Sequence, residues 1–235
     1  MPGLSEAARV AVFVHGAGGG GWEWGVWARC FEAEGFGVVA PDLRAGEDGL
    51  ACVSLCDYAD QVAGWVRSAR DDGAVCVALV GASLGGLLAL ANAGAAQALV
   101  LVNPLPPTGL PTDGPEQEVM HWGRDASLAG TRRALPDADD LAALHAFRRW
   151  RDESGLALRQ ARAGWPLPVP ACPVLVMGSR DDAEVPPASS RALAASLGAA
   201  WLELPGSHAG PLLGRQAAGA ARLAVDWLNI SARAV

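Results

Sequence analysis

Apolar positions fall into six short runs, at 10–14, 37–40, 75–80, 99–102, 173–177 and 200–204, with longer stretches of helical spacing between most of them. The runs are rich in valine and leucine and apolar at nearly every position, as strands buried on both faces of a sheet are. Helical spacing appears over Trp24–Ala33, Asp57–Arg70, Leu87–Ala93, Pro187–Leu197 and Gln216–Leu228. In the second of these, Tyr58, Val62, Trp65, Val66 and Ala69 share one face and Asp57 stands where an N-cap is expected. Strands alternating with helices predict an α/β fold: a mainly parallel sheet flanked by helices.

Two stretches depart from the alternation. Residues 73–112 contain no charged side chain and are long enough to suggest a membrane span. Their pattern instead reads strand, glycine turn, helix, strand, so no membrane span is expected. Between Pro104 and Pro168 the pattern dissolves into Pro/Gly turns, followed by helical pieces at Leu141–Trp150 and Ser154–Ala163. A segment this long exceeds a plain connection, and it carries Trp122, Trp150 and Trp165. It reads as a helical cap (104–168) inserted into a core made of 1–103 and 169–235.

Composition narrows the chemistry. The net charge is −7, which argues against nucleic acid as a partner. All 18 basic residues are arginine. The absence of lysine excludes a lysine Schiff base, a Walker phosphate loop and a Ser-x-x-Lys acyl-transfer site, each of which needs that amine. At 51% apolar and 18% charged residues, the chain is expected to fold. Five cysteines, Cys30, Cys52, Cys56, Cys76 and Cys172, form no even framework, and their contexts mostly read as strand or helix interior. Cys52 and Cys56 lack the further ligands of a zinc site, so neither a metal nor a cofactor is expected. Residues 1–9 lack the features of a signal peptide, which makes the cytoplasm the default expectation.

The candidate chemistry centres on Gly81-Ala82-Ser83-Leu84-Gly85, between a strand run and a helix. G-x-S-x-G is weak evidence in a chain with 29 glycines, but the strand-to-helix context is what a nucleophile elbow requires. The first strand run is likewise followed by His15-Gly16-Ala17-Gly18, a loop whose N–H groups are free to face an anion. Of the competing readings, a phosphate loop is weakened because the glycines lead to no Lys-Ser/Thr, and a dinucleotide loop would need an acidic ribose partner about 20 residues on, for which Asp42 is the candidate.

Of the four histidines, His15 belongs to the glycine loop, where it reads as a brace, and His121 and His145 lie in the cap. His208 sits in a turn between the last strand run and the last helix, where such a sheet presents residues at its carboxyl edge. Asp181 and Asp182 follow the 173–177 strand directly, whereas Asp113, Asp125 and Glu153 fall in the cap.

Together these motifs make the chain resemble the α/β-hydrolase superfamily. The His-Gly-Ala loop followed by Trp22 and Trp24, with Asp57-Tyr58-Ala59 opening a helix, is similar to the small esterase group that includes plant methylesterases and hydroxynitrile lyases. The resemblance implies Ser83 as nucleophile, His208 as base, and the N–H groups of Ala17 and Leu84 as oxyanion hole. For the acid, the distance from Gly178 favours Asp181, while counting back from Val185-Pro186 gives Asp182. Lyases of this group use a lysine that the chain lacks, so the expected activity is carboxylic-ester hydrolysis through an acyl-enzyme. The expected partner is a small-molecule ester or thioester. The alternatives are a thioesterase or cyclising acyl-transferase, or a silent ligand-binding member of the fold; oligomeric state is left open.

Overall fold

Alternate side chains along the central strands face opposite ways, and two separate layers of helix cover them. The structure, a computed structural model, describes residues 8–111 and 114–231, so Asp113 lies outside the described residues. The strands are β1 (Arg9–Val14), β2 (Phe36–Val39), β3 (Cys76–Ala82), β4 (Ala98–Val102), β5 (Val119–Met120), β6 (Glu153–Ser154), β7 (Val174–Ser179) and β8 (Ala200–Leu204). The helices are α1 (Gly25–Ala33), α2 (Leu55–Asp71), α3 (Leu84–Ala91), α4 (Leu128–Ala134), α5 (Asp140–Phe147), α6 (Gly155–Ala163), α7 (Pro187–Leu197), α8 (Gly210–Leu213) and α9 (Ala217–Ser231). Six strands form one parallel sheet in the order β2-β1-β3-β4-β7-β8, while β5 and β6 pair antiparallel in a small separate ribbon.

The strand register explains the near-continuous apolar runs. Val12, Leu79, Leu99 and Val176 join one core with α2, α3, α6 and α7. Phe13, Val80, Val100 and Met177 join the other with α1 and α9. Phe13, Trp24, Trp27 and Phe31 pack ring against ring in this second core, with Phe13 and Trp24 centroids 4.9 Å apart. Both faces being covered, the central strands are apolar, and the site forms in the loops beyond their ends.

Several boundaries differ from the sequence reading. Helix α2 starts earlier than expected, because Ser54 rather than Asp57 is its N-cap: the Ser54 hydroxyl accepts the Asp57 N–H at 3.2 Å and the Asp57 carboxylate accepts the Ser54 N–H at 2.8 Å. This reciprocal box places Asp57 at the third helical position. Strand β7 runs on to Ser179, two residues past the apolar run, with consequences for the loop that follows. Cys52 and Cys56 are exposed, not interior. The 103–173 stretch carries α4, which the spacing did not reveal, and α6, which packs on α2 and α3.

Candidate active site

The chain passes from β1 to β2 on one side and then crosses to β3 on the other, so the order of strand addition reverses between β1 and β3. Crevices at such switch points, beyond the carboxyl ends of the strands, are where this class of sheet binds ligands. His15–Gly21 leaves β1 on one side of the crevice, and Ser83 leaves β3 on the other.

Ser83 has φ 53° and ψ −119°, a left-handed conformation rare outside glycine. A Cβ on Gly81 would overlap the Gly85 carbonyl, and one on Gly85 would overlap the carbonyls of Val14 and His15, so both flanking positions require glycine. The turn is held by the Ser83 N–H donating to the Val102 carbonyl at 3.0 Å and by the Ser83 carbonyl accepting from Gly86, Leu87 and Leu105.

His208 is half-buried, with 14% of its side chain exposed. Its Nδ1 lies 2.7 Å from Asp182 Oδ2, and the other Asp182 oxygen accepts the N–H groups of Glu184 at 2.8 Å and Val185 at 2.9 Å. Burial, the largest influence on the ring, lowers its pKa, but the Asp182 hydrogen bond together with the charges of Asp182, Glu184 and Glu23 outweighs it and raises the pKa above the ordinary histidine value.

The expectation favouring Asp181 is corrected here. Asp181 turns away from His208, its N–H donating to the Gly206 carbonyl at 3.0 Å and its carboxylate accepting the Gly206 N–H at 3.3 Å. The reason is the extra length of β7: Gly178 is still in the strand, so the turn closes one residue later, with the Asp182 N–H on the Ser179 carbonyl.

Ser83 and His208 line one cavity of about 120 Å³ with Gly16, Ala17, Glu23, Trp122, Trp150 and Glu184. No hydrogen bond joins the Ser83 hydroxyl to His208, and such contacts are often loose before substrate binds. Among the described residues, the backbone N–H groups of Ala17 and Leu84 have no acceptor. A larger cavity of about 720 Å³ opens at the opposite edge of the sheet beside Cys76 and Cys172. No histidine lines it, and burial pushes both thiols up, away from the reactive thiolate.

The glycine loop is clamped from several sides. His15 Nε2 accepts the Leu43 N–H at 2.8 Å, which puts its proton on Nδ1, 2.7 Å from the Gly16 carbonyl. Burial takes the His15 pKa down to about 4, so the ring is a neutral brace. Asp42 accepts the Gly21 N–H at 2.8 Å, a structural role in place of the ribose contact considered from sequence. The Gly18 N–H donates to Glu153 at 2.9 Å, and the Gly18 carbonyl accepts from the Arg151 N–H at 2.8 Å. Glu153 also accepts the Tyr58 hydroxyl at 2.6 Å, and burial, followed by the Glu153 charge, raises the Tyr58 pKa and keeps that donor protonated.

Sequence reasoning missed this role of Glu153, and it missed Asn103. At φ 45° after β4, Asn103 donates from Nδ2 to the His208 carbonyl at 2.7 Å and to Ser179 Oγ at 2.9 Å, and accepts the Ser179 N–H at 2.7 Å. The Asn103-Pro104 pair at a strand end was the available signal. The other candidates lie elsewhere: His121 pairs with Asp152, Asp125 with Arg124, and His145 sits edge-on to Trp22.

A sequence profile described as the alpha/beta hydrolase family matches residues 11–225. The chain belongs to this family. The likeness extends to solved structures of this fold. A pyrethroid hydrolase from Sphingobium faniae JZ-2 is 19% identical, covers 96% of this chain and 99% of its own, and superposes with a TM-score of 0.73. A thermophilic esterase from Thermogutta terrifontis is 20% identical over 95% of this chain and 90% of its own, with a TM-score of 0.71. The methylesterase MES16 from Arabidopsis is 18% identical over 94% of this chain and 100% of its own, with a TM-score of 0.69. No curated protein matches the sequence. Among the described residues, no helix is long and apolar enough to cross a membrane.

Proposed function

We propose that this alpha/beta hydrolase cleaves small carboxylic esters through an acyl-enzyme on Ser83. The observation that carries the reading is the left-handed Ser83 turn opening onto the same cavity as a His208 ring held by Asp182 at 2.7 Å. In this mechanism His208 Nε2 accepts the Ser83 proton as the oxygen attacks the ester carbonyl, and Asp182 keeps the other ring proton on Nδ1. The N–H groups of Ala17 and Leu84 receive the oxyanion, each donor contributing about 3 kcal/mol to the barrier reduction. His208 then passes its proton to the leaving alcohol, and water, activated by the same ring, releases the acid.

Segment 104–168 serves as the cap in this reading, supplying Trp122 and Trp150 to the cavity and Glu153 to the glycine loop. The cavity is well below the 300–1,000 Å³ of sites that enclose drug-sized ligands, which favours short acyl groups. The test uses p-nitrophenyl acetate and a fluorophosphonate probe. The wild-type protein is expected to show a burst and to label at Ser83, and Ser83→Ala to do neither. Ester hydrolysis retained by Ser83→Ala overturns the proposal.

A further inference from the structure

The cavity at Ser83 has a distinct balance of lining groups. Two indole rings, Trp122 and Trp150, form part of its wall, and two acidic side chains, Glu23 and Glu184, face it, while none of the lining residues is an arginine. Arg151, on the cap segment beside it, is turned behind the glycine loop, donating to the Leu43 carbonyl at 2.7 Å and lying 3.6 Å from Asp42. Glu184 Oε2 sits 3.8 Å from His208 Nε2, the nitrogen on the reacting side, and its side chain is 65% exposed at the rim. Glu23 is 7% exposed, and its Oε2 is buried without any hydrogen-bond partner. A buried carboxyl oxygen left unpaired is costly, and it gains its missing contact when a polar group enters the cavity.

We infer that the site is built for esters that carry a positive charge, with the cation received between the tryptophan faces and the Glu184 carboxylate and with Glu23 as the inner polar contact. This rests on the ester-hydrolase reading of Ser83 and adds the substrate class. Aromatic faces and a carboxylate are complementary to an ammonium group through the ring quadrupole and through charge. An anionic ester would meet the Glu184 carboxylate at the rim with no lining arginine to offset it.

Acetylcholine and 3,3-dimethylbutyl acetate test this directly, because they share size and shape and differ in a quaternary nitrogen replacing a carbon. At low ionic strength, wild-type kcat/KM is expected to favour the cationic ester by about tenfold, a preference that shrinks as salt is raised. Glu184→Gln is expected to bring the ratio to about twofold or less. Phenyltrimethylammonium should slow fluorophosphonate labelling of Ser83 in the wild-type protein. The salt series and this protection carry the test if the variant does not fold. A wild-type ratio near one, a ratio unmoved by Glu184→Gln or salt, or labelling that the cation does not slow overturns the inference. If Ser83 labels normally in any of these cases, the hydrolase reading stands and only the substrate class falls. If Ser83 neither labels nor supports hydrolysis of either ester, both fall.

Discussion

Glu153→Gln tests how far the glycine loop depends on the segment between β4 and β7. The Glu153 carboxylate is buried and accepts three hydrogen bonds, from the Gly18 N–H at 2.9 Å, the Tyr58 hydroxyl at 2.6 Å and the Ser154 N–H at 2.8 Å. Glutamine has one acceptor oxygen. If that oxygen keeps Tyr58 and Ser154, which share Oε1, the amide NH2 is turned toward the Gly18 N–H, donor against donor. Losing a charge-assisted hydrogen bond costs about 1.5–3 kcal/mol, and stranding a buried donor about 1–3 kcal/mol more. A cavity of about 230 Å³ beside Gly18 and Glu153 lets water restore part of this, so the expected net loss is about 2–4 kcal/mol. Gly18 adjoins Ala17, whose N–H is one of the two proposed oxyanion donors. A donor lost outright costs about 10²–10³ in kcat, so a displaced one is expected to cost about 10–10². Urea unfolding gives the first quantity, and turnover of p-nitrophenyl acetate gives the second. Stability within about 0.5 kcal/mol of wild type would refute the clamp, and unchanged kcat in a destabilised variant would refute its link to the oxyanion site.

Asp182→Asn is expected to lower kcat by about 10³–10⁴ through the wrong His208 tautomer, whereas Asp181→Asn should stay within about threefold of wild type; side-by-side turnover decides between them. The raised His208 pKa places the acid limb of kcat/KM above pH 6.5, because only the neutral ring accepts the Ser83 proton; a limb below that value contradicts the environment described for the ring. Burial, opposed by the Gly16 and Gly20 backbone groups, raises the Glu23 pKa from 4.5 to about 8. The folded protein therefore holds a proton that the unfolded chain releases, a contribution full below pH 4.5 and lost as pH rises through about 8. Glu23→Gln should remove a few kcal/mol of this pH-dependent loss, seen as a flatter Tm profile between pH 5 and pH 9, and an unchanged slope would count against a buried, protonated Glu23.

What was legible in the sequence was whatever depends on side-chain period or on a fixed local geometry. The six strand runs and the Ser83 turn belong to this class, because burial on both faces and a left-handed serine between glycines each leave a local trace. The acid beside His208 did not, because Asp181 and Asp182 are adjacent and which of them meets the ring is decided by where β7 ends. The apolar run stops at Met177, but the strand continues through Gly178 and Ser179 on hydrogen bonding that no hydropathy pattern records. Glu153 and Asn103 were hidden for a related reason. Asn103 acts largely by bonding main-chain groups far away in sequence, and Glu153 reaches the equally distant Gly18 N–H and Tyr58 hydroxyl, so no spacing rule points to either.

These hidden contacts explain how the turn at Ser83 persists. A non-glycine residue at positive φ costs about 1–3 kcal/mol and survives only where the surroundings over-determine it. Ser83 is such a position: its N–H is tied to β4, its carbonyl to α3 and to Leu105, and nearby Gly85 is wedged under the Val14 and His15 carbonyls at the end of β1. Asn103 is itself at positive φ and joins the residue after β4 to both the end of β7 and the His208 loop. The strained residues are thus adjacent in the sheet and braced by one another's loops. Asn103 ties the His208 loop to the same strand end, at Val102 and Leu105, that holds the Ser83 turn, so strain and site geometry meet at the carboxyl edge.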